Sequence, residues 1–346
     1  MKTAVVVLNW NTKDYLRSFL PGLIGSCSQA EAEVVVADSG STDGSVDVLR
    51  EEFPEVRTVL LDKNYGFTGG YNRALAGLEA DYYVLINSDI EVGDEWLGPL
   101  VRWMDSHPEC GICGPKLHGL LNQDGKYVRS SRFEYAGAAG GVLDRFGYPY
   151  CRGRIRQRVS EDKGQYDNAD PDVLWVTGAC LMIRRSLWER LGGFDKRFFA
   201  HMEEIDLCWR AQLMGWKVNV VPQSVVWHLG GGTLAPASPF KLKLNFRNNL
   251  LLLDNNLEQS YISQGLSPSK AAKKSSLFLR FRVVLDFCAG IVYFCTGKPE
   301  YTKAVRDARR EWRELRMLPH PKVEAVQGAV VSGLTRKCIV INQKMI

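Results

Sequence analysis

Three short stretches of the 346-residue chain carry side chains that could work together as acids, bases or metal ligands. Asp89 closes the run Asn87-Ser-Asp89, Glu203-Glu204-Ile205-Asp206 reads as the first turn of a helix, and His228 stands just before Gly230-Gly-Gly232. A carboxylate beside an imidazole can hold Mg2+ or Mn2+ with positions left open for phosphate oxygens, and the imidazole inclines the choice toward Mn2+. A second carboxylate near such an ion, but not bound to it, can take a proton from an attacking hydroxyl. Taken singly, each group has a plainer use. Acids favour helix N-termini, and Asp38 suits an Asx turn across residues 39–44.

For these groups to meet, the elements carrying them must end on one side of the molecule. Short apolar runs at 4–8, 33–37, 56–61 and 82–86 alternate with helical patterns at 14–23, 45–53 and 70–78, the signature of βαβ units around a parallel sheet. The strands are almost continuously apolar, as expected where helices cover both faces. Asn9-Trp10-Asn11, residues 38–44, Asn64-Tyr65-Gly66 and Asn87-Ser88-Asp89 then fall at carboxyl ends of strands, where open α/β sheets bind ligands. Neither G-x-G-x-x-G nor G-x-x-x-x-G-K-[ST] occurs, so a dinucleotide fold and a P-loop are unsupported.

From 111 to 172 the pattern loosens. The alternating arginines of Arg152-Gly-Arg154-Ile-Arg156-Gln-Arg158 suit either the solvated face of an edge strand or a basic flap over an anionic ligand. Order returns with a strand at 173–183, a helix from Ser186, a helix at 203–214 and strands at 217–221 and 225–228. Beyond these, helices are expected at 246–257, 277–295 and 301–318.

With 44 Lys and Arg against 39 Asp and Glu and 45% hydrophobic residues, the composition excludes a disordered tail, a collagen-like fibre and a polytopic membrane protein. Residues 270–316 carry 12 Lys and Arg against 5 Asp and Glu, a net +7 in a chain whose total is +5, which leaves −2 for the remainder. That local excess, on helices with an apolar side, suits a membrane interface; the alternative is a helical pair packed on the sheet. Nine cysteines without a framework spacing suit a reducing compartment, and Cys110-Gly-Ile-Cys113 is expected to pack in a buried strand. Met1-Lys-Thr leads straight into the first strand without an apolar leader, so a cytoplasmic location, at the cytoplasmic face of the inner membrane, is expected.

These motifs, in this order, resemble the family 2 inverting glycosyltransferases of the GT-A fold, in particular their bacterial rhamnosyltransferase-like branch. The likeness covers residues 3–235 and runs through Val6-Val-Leu-Asn-Trp-Asn11, Asp38-Ser-Gly-Ser-Thr-Asp-Gly44, Asn64-Tyr-Gly-Phe-Thr-Gly-Gly-Tyr-Asn72, Leu85-Ile-Asn-Ser-Asp89, Thr177-Gly-Ala179, Gly192-Gly-Phe-Asp195, Glu203-Glu-Ile-Asp-Leu-Cys-Trp-Arg210 and His228. It weakens toward 318.

The resemblance implies a mostly parallel sheet flanked by helices, with a Rossmann-like nucleotide-binding half in a catalytic domain at 1–235 and a basic helical extension at 236–346. It implies that Trp10, Asp38, Asn64, Asn72 and Ser88 hold the nucleotide of a UDP- or dTDP-sugar. Asp89 and His228 would bind Mn2+ or Mg2+, Asn87 replacing an acid at the first position of the metal motif. Glu204, or else Glu203, would be the catalytic base, with Asp206 and Arg210 holding their helix in place. Gly178, Gly193 and Asp195 would line the donor-sugar and acceptor cleft. The acceptor would be a glycan or lipid-linked glycan for a cell-surface polysaccharide, with peripheral membrane contact through 270–318 and no nucleic-acid partner. A sugar nucleotidyltransferase is disfavoured by the missing Gly-rich basic loop after the first strand. A non-catalytic carbohydrate-binding protein of the same fold should have lost metal or base positions, and only Asn87 departs.

Overall fold

The computed structural model describes residues 2–135, 137–155, 158–230 and 238–334; Arg156, Gly231, Gly232 and Cys338 lie outside the described residues. The first half runs β1 (Thr3–Asn9), α1 (Lys13–Gln29), β2 (Glu33–Ser39), α2 (Ser45–Glu52), β3 (Arg57–Leu61), α3 (Gly66–Leu75), β4 (Tyr82–Asn87), β5 (Ile90–Val92) and α4 (Leu97–Ser106). Next come β6 (Cys110–Gln123), β7 (Lys126–Phe133), β8 (Gly141–Leu143), β9 (Pro149–Cys151), β10 (Arg154–Ile155) and β11 (Arg158–Val159). The chain continues with β12 (Cys180–Arg184), α5 (Arg185–Leu191), α6 (Glu203–Leu213) and β13 (Lys217–His228). Three long helices follow: α7 (Pro239–Ser263), α8 (Pro268–Cys295) and α9 (Pro299–Leu315).

The main sheet has nine strands, ordered β3-β2-β1-β4-β12-β6-β13-β5, with β7 paired to β6. The expected parallel half is present as β3-β2-β1-β4, and β12 and β5 run antiparallel to their neighbours. Alternation along β1 separates two cores. Val6 packs with Tyr71, Leu207, Trp209 and Leu251 on the side of α3, α6 and α7, whereas Val5 and Val7 pack with Leu16, Val48 and Leu100 on the side of α1, α2 and α4. Apolar residues on both faces of one strand therefore follow from helices on both sides.

Helix α3 starts four residues before the expected Gly70, because its glycines serve close packing rather than a loop. A Cβ on Gly70 would lie 2.7 Å from Leu8, and Gly66, at φ +70°, has the Phe199 ring where its Cβ would be. The strand expected at 173–183 is confined to β12; residues 173–179 cross the core irregularly, Trp175 bridging to Gly141. The two strands expected at 217–221 and 225–228 are one, β13, with a register shift between Val221 and Val225.

The stretch that reads as loose from 111 to 172 contains the 14-residue β6 and the 8-residue β7. Polar residues hid β6: Lys116 is buried within it, with its ammonium 2.7 Å from both Asp162 and Asp167. Cys110 and Cys113 are buried free thiols in this strand, as a packing role requires. Among the described residues the arginine run forms no edge of the main sheet; Arg154 and Arg158 belong to the separate β10-β11 pair, and the Arg152 guanidinium donates to the Asp170 and Asp172 carbonyls.

Candidate active site

The carboxyl ends of β1, β2 and β4 are stitched into one polar floor. Asn9 stands opposite Asp38 in the β1–β2 register, and its amide donates to the Asp38 carboxylate at 2.7 Å. Asp38 also accepts from the Ser41 amide N–H at 2.9 Å, which is the Asx turn. Thr12 donates to Asn9 Oδ1 at 2.5 Å, and its hydroxyl lies 3.0 Å from that of Ser88. Trp10 projects from this floor 39% exposed, and Asn64 is exposed at the end of β3, its Oδ1 accepting from the Gly66 N–H.

Strand pairing brings Asp89 and His228 together. Asp89 precedes β5, whose Ile90 pairs with His228 at the end of β13, and Leu229 donates its N–H to the Asp89 carbonyl. The imidazole Nε2 then lies 3.2 Å from Asp89 Oδ1, and Nδ1 lies 3.6 Å from Glu134 Oε1. All three side chains are buried. Burial opposes the imidazolium, yet Asp89 and Glu134 outweigh it and lift the His228 pKa to about 10; the imidazolium in turn holds Asp89 below the usual carboxylate range. Among the described residues no three His, Cys, Asp or Glu side chains form a group able to hold a metal ion by themselves. Asp89 and His228 are instead one carboxylate and one imidazole, a donor pair that fits Mn2+ or Mg2+ whose other positions are filled by ligand oxygens.

The two glutamates open α6 and differ in placement. Glu203 is only 4% exposed, and burial together with the Glu204 charge pushes its pKa well above the usual range. Glu204 stays partly exposed; burial pushes it up to about 7 against the pull of backbone N–H groups that include Gly178. A Cβ on Gly178 would stand 3.5 Å from Glu204 Cβ, and the next residue, Ala179, accepts from the Asn87 N–H at 2.9 Å. Glu204 is thus connected through two residues of chain to the Asn87-Ser88-Asp89 strand end. A carboxyl poised near neutral pH, with its buried Oε2 left without a hydrogen-bond partner among the described residues, can accept a proton.

The loop into α6 is strained: Phe199, His201 and Met202 have φ of 66°, 71° and 71°. Helix α7 holds it in that shape. Asn248 Nδ2 lies 2.7 Å from both the Ala200 and His201 carbonyls, and Arg247 donates to Phe198 O at 2.7 Å. His201 Nε2 is buried with no partner among the described residues, and burial lowers its pKa to about 4. One turn into α6, Asp206 accepts from Arg210 at 2.7 Å, Asn255 at 3.0 Å and Asn256 at 2.9 Å.

Several residues expected in the cleft are placed elsewhere. Asn72 uses both ends of its amide on the Phe194 main chain, which fixes α3 to the 192–194 turn rather than offering a group to a nucleotide. Gly193, at φ +70°, is buried against that same amide. Asp195 has no exposed surface; its carboxylate pairs with Arg197 and accepts from Asn255, so it is part of the scaffold and not of the cleft wall. Sequence reasoning missed Glu134, which no motif marks. It also missed Asn248 and Asn255, although pairs of asparagines seven residues apart in a helix are a readable sign, since Asn is a poor helix former and seven residues return to one face.

The sequence profile of glycosyl transferase family 2 matches residues 4–192, and that of glycosyl transferase family group 2 matches residues 160–237. The chain is 28% identical over 235 residues to N-acetylglucosaminyl-diphospho-decaprenol L-rhamnosyltransferase of Mycobacterium tuberculosis, covering 65% of this chain and 75% of that one. It is 23% identical over 260 residues to the low-salt glycan biosynthesis hexosyltransferase Agl10 of Haloferax volcanii, 72% of this chain and 74% of that one. In fold it resembles Staphylococcus aureus TarS 1–349, with a TM-score of 0.53 and 18% identity over 92% of this chain and 81% of that one. A second likeness is to the mannosyltransferase PcManGT of Pyrobaculum calidifontis in complex with GDP-Man and Mn2+, with a TM-score of 0.52 and 16% identity over 91% and 86%.

The α6–α7 network carries a measurable consequence. Asp206→Ala strands the buried Arg210 guanidinium and should lower the unfolding free energy by about 3–5 kcal/mol in urea titrations. Asn248→Ala should cost about 1–3 kcal/mol by leaving buried carbonyls unsatisfied. Losses below about 0.5 kcal/mol for both would show that α7 does not brace α6.

Proposed function

The chain belongs to glycosyl transferase family 2 and is a glycosyltransferase, and from that premise we propose that it works by a single inverting displacement at the strand-end floor. The observation that carries this reading is Glu204, a half-buried residue whose Oε2 is buried without a hydrogen-bond partner among the described residues and whose pKa is lifted to about 7, joined through 178–179 to the strand end that carries Asp89. Residues 1–235 form the catalytic unit in this reading, and the helices of 236–346 brace it.

The donor is a nucleotide-diphosphate sugar, UDP- or dTDP-linked. Trp10 offers an exposed ring against which a base can stack, and Asn64 and Ser88 offer polar contacts around it. Asp38 acts through Asn9 and the 39–44 turn, keeping the floor in shape. Asp89 and His228 would hold Mn2+ or Mg2+, which supplies positive charge for the leaving diphosphate. The His228 proton must leave before its Nε2 can serve as a ligand, so binding of the ion releases a proton. Glu134, facing Nδ1, orients the ring.

Glu204 accepts the proton of the acceptor hydroxyl as that oxygen attacks the anomeric carbon opposite the nucleotide. Burial and the Glu204 charge push the Glu203 pKa well above the usual carboxylate range, which disfavours a second negative charge beside the base. The acceptor is a lipid-linked glycan, a class supported by the printed name of the M. tuberculosis relative, and the product serves cell-surface polysaccharide synthesis at the cytoplasmic face of the membrane. Release of nucleoside diphosphate from a nucleotide-sugar panel tests the reading. Pyrophosphate release from a nucleoside triphosphate and sugar phosphate would make the protein a nucleotidyltransferase, and no turnover with donor still bound would make it a binding protein.

Glu204→Gln should lower kcat by about 10²–10⁴-fold while donor affinity in calorimetry stays within about 2-fold. In the native enzyme kcat/KM should climb about tenfold per pH unit below pH 7 and level off above it, because the base must be ionised to act; the variant should lose that limb. Asp89→Ala and His228→Ala should each weaken Mn2+-dependent donor binding by about 10-fold or more in calorimetry. Unchanged affinity would remove them from the metal site.

A further inference from the structure

Helix α8 is unusually polar inside and apolar outside. Its covered face, against α7 and α9, carries Ser275, Arg282 and Asp286 beside Ala271, Leu279 and Gly290, whereas Leu277, Phe281, Val284, Phe287, Ile291, Val292 and Phe294 are each 41–68% exposed. The polar inner face is partly satisfied: Arg282 Nη2 donates to Asn249 at 2.7 Å and to Asp286 at 3.1 Å, and the guanidinium lies over the Tyr148 ring, while Arg282 Nε and Nη1 and Asp286 Oδ2 are buried without a hydrogen-bond partner among the described residues. At about 100° per residue the exposed apolar side chains fill a single arc about 160° wide opposite that face. Isolated surface leucines need no explanation, but seven large apolar side chains on one continuous strip do.

The same arc is basic at its start. Lys270, Lys273 and Arg280 are exposed within about 60° of the Leu277 direction, and α8 has no acidic residue before Asp286. On α9 the exposed Lys303, Arg306 and Arg313 stand among the acids Glu300, Asp307, Glu311 and Glu314, and Arg310 pairs with Asp307, so the uncompensated cations are those of α8. Among the described residues no helix is long and apolar enough to cross a membrane. An apolar strip with cationic residues at one end matches a surface that is itself apolar below and anionic above. A second copy of the chain is a poorer match, since pairing two such strips would press lysine ammonium groups against apolar residues.

We propose that the outward face of α8 docks flat on a bilayer containing anionic phospholipid, Phe287, Ile291 and Phe294 entering the acyl boundary while Lys270, Lys273 and Arg280 meet phosphate headgroups. The proposal deepens the reading above by naming where the enzyme meets the surface that carries its acceptor, and it is tested without substrate, so its failure leaves the transfer reading standing. Vesicles of phosphatidylglycerol and phosphatidylcholine should co-sediment the full chain at low salt, with binding falling at least 10-fold on vesicles of phosphatidylcholine alone or in 0.5 M salt. Phe287→Asp/Phe294→Asp should lower binding at least 10-fold with an unchanged melting temperature, and Lys270→Glu/Lys273→Glu/Arg280→Glu should do the same on anionic vesicles. An environment-sensitive dye on exposed Cys288, with Cys295 and Cys338 replaced by Ser, should shift to the blue on vesicle addition. Absence of binding to anionic vesicles, binding undiminished in both variants, or a concentration-dependent dimer abolished by Phe287→Asp/Phe294→Asp would each overturn it.

Discussion

Asp206 has no solvent-exposed surface, and its hydrogen bonds join α6 to α7 and, through Arg210, to the turn after α5. Arg210, which it pairs with along α6, donates onward to the Leu191 and Gly193 carbonyls; Asn255 and Asn256 tie it to α7. A buried carboxylate without such partners would be strongly disfavoured, so the fold can adopt this arrangement only with α5, α6 and α7 all in place. The start of α6, and with it the candidate base Glu204, is therefore located by residues up to fifty positions further along the chain. Asn248 completes the bracing by holding the strained 199–202 loop from the same helix.

Much of this was readable in the sequence, for a physical reason. Groups that do chemistry on an open α/β sheet must sit where strands end, so Asp89 after an apolar run and His228 before a glycine cluster stand out without any structure. The Glu203-Glu204 pair was marked differently, by its acid chemistry at a helix start and by the family motif it matches. Glu134 was invisible because its relation to His228 exists only once β7 has folded beside β6 and β6 beside β13. Asp195 and Gly193 misled in the opposite sense: a polar residue in a Gly-rich turn looks like a ligand, and here the turn is locked by Arg197, Asn72 and Asn255.

The fold shows a similar division. Almost continuous apolar runs located β1 to β4, yet the Gly-rich start of α3 read as a loop because close approach to Leu8 and Phe199 is a property of the packed state. Of β6 only the start at Cys110–Cys113 was marked as a buried strand; its continuation was lost in a polar stretch since Lys116 can be buried only through Asp162 and Asp167, some fifty residues away. For α8 the composition gave its basic and apolar character, but which face looks outward depends on Arg282 finding Asn249. That pairing turns the polar side in and leaves the apolar side uncovered.

The central claim is a single displacement with Glu204 as the base, and the anomeric configuration of the first product tests it most directly. Nuclear magnetic resonance of the anomeric carbon–hydrogen coupling, recorded on product from one transfer before any mutarotation, should show the configuration opposite to that of the donor. Retention would contradict the account, because it requires a second displacement and a nucleophile where this structure offers a proton acceptor.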